Sequence, residues 1–244
     1  MQISGAVALV TGANRGLGKH FAEQLLARGA KVYATARRPE LVDLPGATVL
    51  RLDITDPASI AAAAAAATDV TLLVNNAGID TVTGLVTGDL DRIRLELDTH
   101  FWGTLGMIRA FAPRLAGGAI LNVLSAMSWF NYPGHTAYGV AKAAEWNLTN
   151  GVRLELAEQK TLVTALHLGA ADTDLSDYDG PKGDPAVLVR AALDGLEQDR
   201  IEVVADDWSA HVKASSPAIR ATSTSRSSRR PIGERFLYRS DLMC

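Results

Sequence analysis

A short apolar run, Ala6–Thr11, leads straight into the turn Thr11-Gly-Ala-Asn-Arg-Gly-Leu-Gly18, which opens a helix-like segment, Leu17–Arg28. Three glycines at this spacing restrict the fold sharply. Gly12 permits a tight turn, Gly16 leaves the backbone bare for close approach of a pyrophosphate, and Gly18 lets helix and strand pack closely. The start of the helix then offers unpaired N–H groups and the positive end of its dipole. Gly12, Asn14, Arg15, Gly16, Leu17 and Gly18 are therefore candidates for holding the phosphates of a dinucleotide. A purely structural turn is the competing reading.

The rest of the chain repeats the same alternation. Thr48–Leu52, Lys31–Ala36, Leu72–Asn75, Ala119–Leu124, Leu162–His167 and Glu202–Ala205 read as further strands, several of them apolar throughout. Such runs suit parallel strands covered on both faces. Ala58–Thr68, Asp89–Leu115, Thr136–Glu158 and Pro185–Asp199 read as the intervening helices; the first follows Asp56 and Pro57, a capping residue and a proline suited to the first helical position. The alternation predicts an α/β fold: a doubly wound parallel sheet with right-handed crossovers and helices on both faces. At 244 residues and 48% hydrophobic content, one domain with a large core is expected over residues 1–208. Residues 209–244 are rich in Ser and Arg and read as a basic, poorly ordered tail.

Composition excludes several classes. A net charge of -3 carries no nucleic-acid footprint. No apolar stretch is long enough to span a bilayer, and the run Val7–Val10 is too short for a signal peptide. The single cysteine, Cys244, cannot form an intramolecular disulfide, which fits a reducing compartment, and a cytoplasmic location is expected. No metal site is expected.

The second strand ends at Ala36, followed by Arg37, with no Asp or Glu there to meet a free ribose 2′-hydroxyl. Arg37 and Arg15 can converge as guanidinium forks on a 2′-phosphate, which favours NADP(H) over NAD; ordinary surface arginines are the alternative. Asp53, closing the third strand, is a candidate for the adenine amino group or for capping a helix.

Tyr138 and Lys142 stand four residues apart in T-A-Y-G-V-A-K, with Ser125 upstream in L-N-V-L-S. On a helix these two share a face. An ammonium beside a phenol predicts an ionisation below the usual value of about 10. The result would be a proton donor or acceptor usable near neutral pH, with the Ser125 hydroxyl orienting a carbonyl or alcohol oxygen.

Taken with L-V-N-N-A-G at Leu73–Gly78, these motifs resemble the short-chain dehydrogenase/reductase family over about residues 3–208. The resemblance implies a Rossmann-type domain of about seven strands in the order 3-2-1-4-5-6-7. It also implies a homodimer or homotetramer formed through the two long helices. By the same resemblance Tyr138 is the general acid/base, Lys142 holds the nicotinamide ribose and lowers the tyrosine pKa, and Ser125 orients the substrate. Asn75, Ala77 and Gly78 match the strand end that packs on the adenosine ribose. Gly169, Ala171 and Thr173 fall in the segment that lies along the nicotinamide.

Three positions depart from the family pattern. His100 stands where an Asn commonly supports a water linking the lysine to solvent, Leu168 replaces a proline, and Leu124 replaces the first of two serines. None removes a reacting group. The implied activity is NADP(H)-dependent hydride transfer between nicotinamide and a small-molecule ketone or aldehyde, or a secondary alcohol. A non-catalytic NADP-sensing scaffold, and an epimerase or dehydratase of the same family, are the alternatives. Ile79–Thr83, Met127–His135 (with Trp129, Phe130 and Tyr132) and the acidic stretch Asp174–Asp184, a candidate lid, are the substrate-facing segments.

Overall fold

The computed structural model describes residues 1–223. Among them, β1 (Val7–Val10), β2 (Lys31–Ala36), β3 (Thr48–Arg51), β4 (Leu72–Asn75), β5 (Ala119–Val123), β6 (Leu162–His167) and β7 (Glu202–Val204) form one sheet. Its order is β3-β2-β1-β4-β5-β6-β7, and every neighbouring pair is parallel. Each strand coincides with an expected run to within a residue or so at its ends.

Consecutive residues along the central strands face opposite cores, which is why these strands are apolar without alternation. Leu72 and Val74 point with Val10, Phe21, Leu25 and Leu193 into one core. Leu73 points with Leu9, Ile60, Met107 and Phe111 into the other. Helices α1 (Gly16–Ala27) and α6 (Pro185–Glu197) cover the first face, and α2 (Pro57–Ala66), α4 (Thr104–Phe111) and α5 (Thr136–Glu155) contribute to the second. Asp56 caps α2 by accepting from the Ala58 N–H, and Asp184 caps α6 through Ala186 in the same way; each helix has proline at its start. None of the described helices is long and apolar enough to cross a membrane.

Two expectations need correction. The long helix foreseen over Asp89–Leu115 is broken. It consists of α3 (Leu90–Leu97), a π-helical segment at Asp98–Gly103, α4 and a 3-10 turn at Ala112–Arg114. A π turn widens the helix by one residue and re-aims the side chains it carries, a common device at functional sites. Here it holds Thr99 and His100 inside. The domain was also expected to end at 208, but α7 (Asp207–Ser223) runs across that position. Asp206 anchors it: its carboxylate accepts from the Ser209 N–H and hydroxyl and from the Gly169 N–H. Val212 is buried, and Lys213 pairs with Glu202 on β7. The remainder of the expected tail, 224–244, lies outside the described residues.

From β1 the chain winds outward through β2 to β3, then returns to place β4 on the other side of β1. Such a reversal opens a crevice at the carboxyl ends of the strands. Gly18, at the start of α1, brings the helix against the glycine turn so closely that a Cβ there would fall inside van der Waals contact of the Gly12 carbonyl oxygen. Gly18→Ala should therefore destabilise the chain by about 1–3 kcal/mol through overpacking, read as a lower midpoint in urea unfolding with an unchanged slope.

Candidate active site

A cleft of about 1580 Å³ occupies this crevice. At one end lie Arg37 and Asp53; the glycine turn forms its floor through Gly12, Asn14, Arg15, Gly16 and Leu17. Gly12 and Gly16 adopt positive φ angles of 67° and 54°, conformations that a side chain would strain. Helix α1 begins with neither an acidic residue in its first turn nor a side-chain cap, so its N–H groups face the cleft uncompensated. Arg15 pairs with Asp174 across the cleft at 3.1 Å, an exposed contact. Asp53 turns its Oδ1 to the Thr55 N–H and hydroxyl, and Asp56 takes the helix cap.

The sequence placed Asn75 beside the ribose, but it does not line the cleft; Asn76 does. Asn75 is buried and its amide donates to Asn122 Oδ1 at 2.8 Å. Asn76 Nδ2 donates to the Thr11 and Gly12 carbonyls, while the N–H groups of Asn76 and Ala77 donate to Thr11 Oγ1. Thr11 and Asn76 thus fasten the glycine turn to the end of β4. The adjacent asparagines carried that signal, and strand alternation decided which one faces up. Ala77, Gly78, Ala171 and Thr173 line the cleft, with the Thr173 methyl directly over Gly16. Gly169 lines it too, although its N–H is committed to Asp206 at 2.8 Å.

Ser125, Tyr138 and Lys142 converge at the centre of the cleft. Ser125 leaves the end of β5 buried, its Oγ accepting from the Met127 N–H at 3.1 Å. Tyr138 and Lys142 sit one turn apart on α5, with Nζ 5.8 Å from the phenol ring centre. The ammonium donates to the Val123 carbonyl at 2.9 Å and to Glu145 Oε2 at 2.7 Å. Burial works against its charge, but the carboxylate of Glu145 and the neighbouring phenol outweigh it and hold Lys142 above its ordinary 10.5.

The phenol behaves differently from the sequence reading. Part of the Tyr138 side chain reaches the cleft surface, yet the surrounding protein strips away most of its water. That desolvation lifts its pKa above 10.0; Lys142 and a hydrogen bond with Ser125 pull it down, and Asp80 and Glu145 push it up. The expected fall below 10 is therefore reversed, because burial dominates and Asp80 and Glu145 add to it.

His100 is fully buried, its ring edge-on to Tyr138 at 5.4 Å. Its Nε2 lies 2.9 Å from the Ile79 carbonyl oxygen. Gly78 makes room for it, since a Cβ there would approach His100 Cε1 to 2.7 Å. Two acids that the sequence reading missed flank the ring: Glu96 Oε2 at 3.4 Å from Nε2 and Glu145 Oε2 at 3.7 Å from Nδ1. Burial opposes the Glu96 charge, yet His100 and the Thr81 N–H keep its carboxyl below the ordinary 4.5. Glu145 stands three residues beyond Lys142, so its helix face was legible, but a charged residue there ordinarily meets solvent.

Phe130 and Tyr132 line the cleft, joined by Trp208 of α7, which packs edge-on against Phe130 at 5.4 Å. Trp129 instead stacks on His167 at 4.0 Å, away from the cleft. His135 and Asp80 form a pair at 2.7 Å in the wall, and residues 174–183 contribute the opposite rim. Ser128 is buried in the short turn after Ser125, as local structure.

Comparison with known proteins agrees with this architecture. Residues 6–182 match the family model described as short chain dehydrogenase. The chain is 34% identical over 190 residues to 3-oxoacyl-(acyl-carrier-protein) reductase of Salmonella typhimurium, covering 72% of this chain and 78% of that one. It is 29% identical over 219 residues to an uncharacterized oxidoreductase of Staphylococcus saprophyticus, covering 81% and 94%. Among solved structures, a short chain dehydrogenase from Burkholderia cenocepacia in complex with NADP superimposes with a TM-score of 0.87 at 39% identity, covering 91% of this chain and 97% of that one.

His167, at the end of β6, lies behind Ser125, its Nδ1 3.1 Å from the Ser125 carbonyl oxygen. Burial lowers its pKa from 6.5 to about 4. Between those values the unfolded chain binds the proton and the folded chain does not, so this stability is whole above pH 6.5 and is lost as pH falls toward 4. The loss is on the order of 3 kcal/mol. Urea unfolding of wild type and His167→Phe across this window should show the gap between them moving in the variant's favour by that amount as the solution is acidified.

Proposed function

Because this chain belongs to the short-chain dehydrogenase family, we propose that it is an NADP(H)-dependent oxidoreductase that interconverts a ketone or aldehyde with the corresponding alcohol. One observation carries the reading: Ser125, Tyr138 and Lys142 converge in the same cleft that a bare glycine turn and Arg37 also line.

The residues fit a dinucleotide. Gly12 and Gly16 provide a floor without side chains, and the N–H groups at the start of α1 suit a pyrophosphate. Arg37 lines the cleft at the end of β2, where a 2′-phosphate would extend, and Arg15 can reach it on leaving Asp174. Thr173 and Ala171 border the nicotinamide end. When bound, the cofactor supplies or accepts the hydride.

The chain's own part is to hold the substrate oxygen and move a proton. The Ser125 hydroxyl donates to the carbonyl oxygen and fixes it beside Tyr138. As negative charge builds on that oxygen in reduction, the Tyr138 O–H gives up its proton to it. Lys142 stabilises the phenolate left behind through its charge and its closeness on α5. In oxidation the same phenolate takes the proton from the alcohol. Phe130, Tyr132 and Trp208 favour a substrate with an apolar body. Exposed Leu95 on α3 and Trp102 within the π segment support a homodimer or homotetramer formed through this stretch and α5.

A panel of ketones and aldehydes assayed with NADPH and NADH in parallel tests the reading. Tyr138→Phe should lower turnover by about 10²–10⁴-fold while NADPH binding, followed by its fluorescence, stays within a few-fold of wild type; undiminished turnover in that variant would remove Tyr138 from the mechanism. Arg37→Ala should weaken NADPH binding by about tenfold or more, the scale of one charged hydrogen bond, and leave NADH binding unchanged.

A further inference from the structure

Beneath the reacting trio lies a second layer of ionisable side chains that hydride transfer does not require. Glu145 is 1% exposed, and both its oxygens are engaged: Oε2 with Lys142 Nζ at 2.7 Å, Oε1 with the Thr104 hydroxyl at 3.0 Å. We propose that Glu145 is the built-in counter-ion of the reacting pair, a positioning residue that fixes the Lys142 ammonium and cancels part of the positive charge reaching Tyr138.

The geometry supports this directly. A buried carboxylate is costly unless paired, and the lysine is its ionic partner. Here the carboxylate touches the ammonium from one side while the Val123 carbonyl holds it from another, leaving Nζ 5.8 Å from the phenol ring centre.

Other charged groups face the pair, but each has a different partner. From α3, Glu96 is held by the Thr81 N–H and His100. From the segment after β4, Asp80 pairs with His135. His167 lies behind Ser125, bound to its carbonyl. His100, from the π segment, stands between Glu96 and Glu145 and keeps the two carboxylates apart. Glu145 is thus the acid in direct contact with the ammonium. Its consequence for turnover rests on the dehydrogenase reading; the electrostatic claim stands on the chain alone.

The test is an ultraviolet phenolate titration of the full chain without cofactor, taking the difference from the matching Tyr138→Phe protein in each background. In Glu145→Gln the Tyr138 phenolate should appear about one pH unit lower than in wild type, the scale of one neighbouring charge. Glu145→Asp, which draws the carboxylate back from Nζ, should shift the same way by less, and it decides the matter if the Gln variant does not fold. An ionisation that stays put or moves upward overturns the proposal, as does a Tyr138 signal absent from every variant up to alkaline unfolding. A merely structural glutamate would lower the unfolding midpoint without moving the phenolate, which also overturns it. Failure to find any carbonyl substrate would count against the dehydrogenase reading and leave this titration to decide the role of Glu145.

Discussion

Lys142 carries a positive charge into a part of the molecule that water barely reaches, and the surrounding structure is arranged to make that tolerable. An ammonium in such a place loses its proton unless an opposite charge and good acceptors meet it. The end of β5 supplies the Val123 carbonyl, α5 supplies Glu145, and α4 supplies Thr104 to hold Glu145 in turn. The same packing raises the neighbouring phenol. Tyr138 is therefore held in its protonated form.

The sheet explains why this chemistry sits where it does. Parallel strands end together, and the reversal of strand order beside β1 opens a crevice at those ends. The glycine turn follows β1, Asn76 follows β4 and Ser125 follows β5, so three successive neighbours in the sheet each deliver one part of the cleft. Thr11 and Asn76 tie the first two parts together through hydrogen bonds to backbone. Asp206 ties the Gly169 segment to α7, which brings Trp208 to the cleft.

Much of this was legible in the sequence, for identifiable reasons. Leu72–Asn75 and Leu162–His167 are apolar runs buried on both faces, so their ends coincide with the strands. The glycine turn and the Tyr–Lys spacing follow from local backbone rules. What escaped depends on tertiary contact. The π segment arises where Gly103 packs against Ile54 and His100 enters the space left by Gly78, and no local propensity announces either. The choice of Asn76 over Asn75 turns on strand register. Asp206 and Val212 anchor a helix whose composition read as tail. The direction of the Tyr138 shift is set by desolvation, with Asp80 and Glu145 adding to it, and spacing along a helix reports none of these.

The most direct measurement is a crystal structure of the chain grown with NADP. The account requires the pyrophosphate over Gly12 and Gly16, the 2′-phosphate against the Arg37 or Arg15 guanidinium, and the nicotinamide ring beside Tyr138 and Lys142. A dinucleotide bound with its nicotinamide away from Tyr138, or its absence from the cleft at saturating concentration, would contradict it.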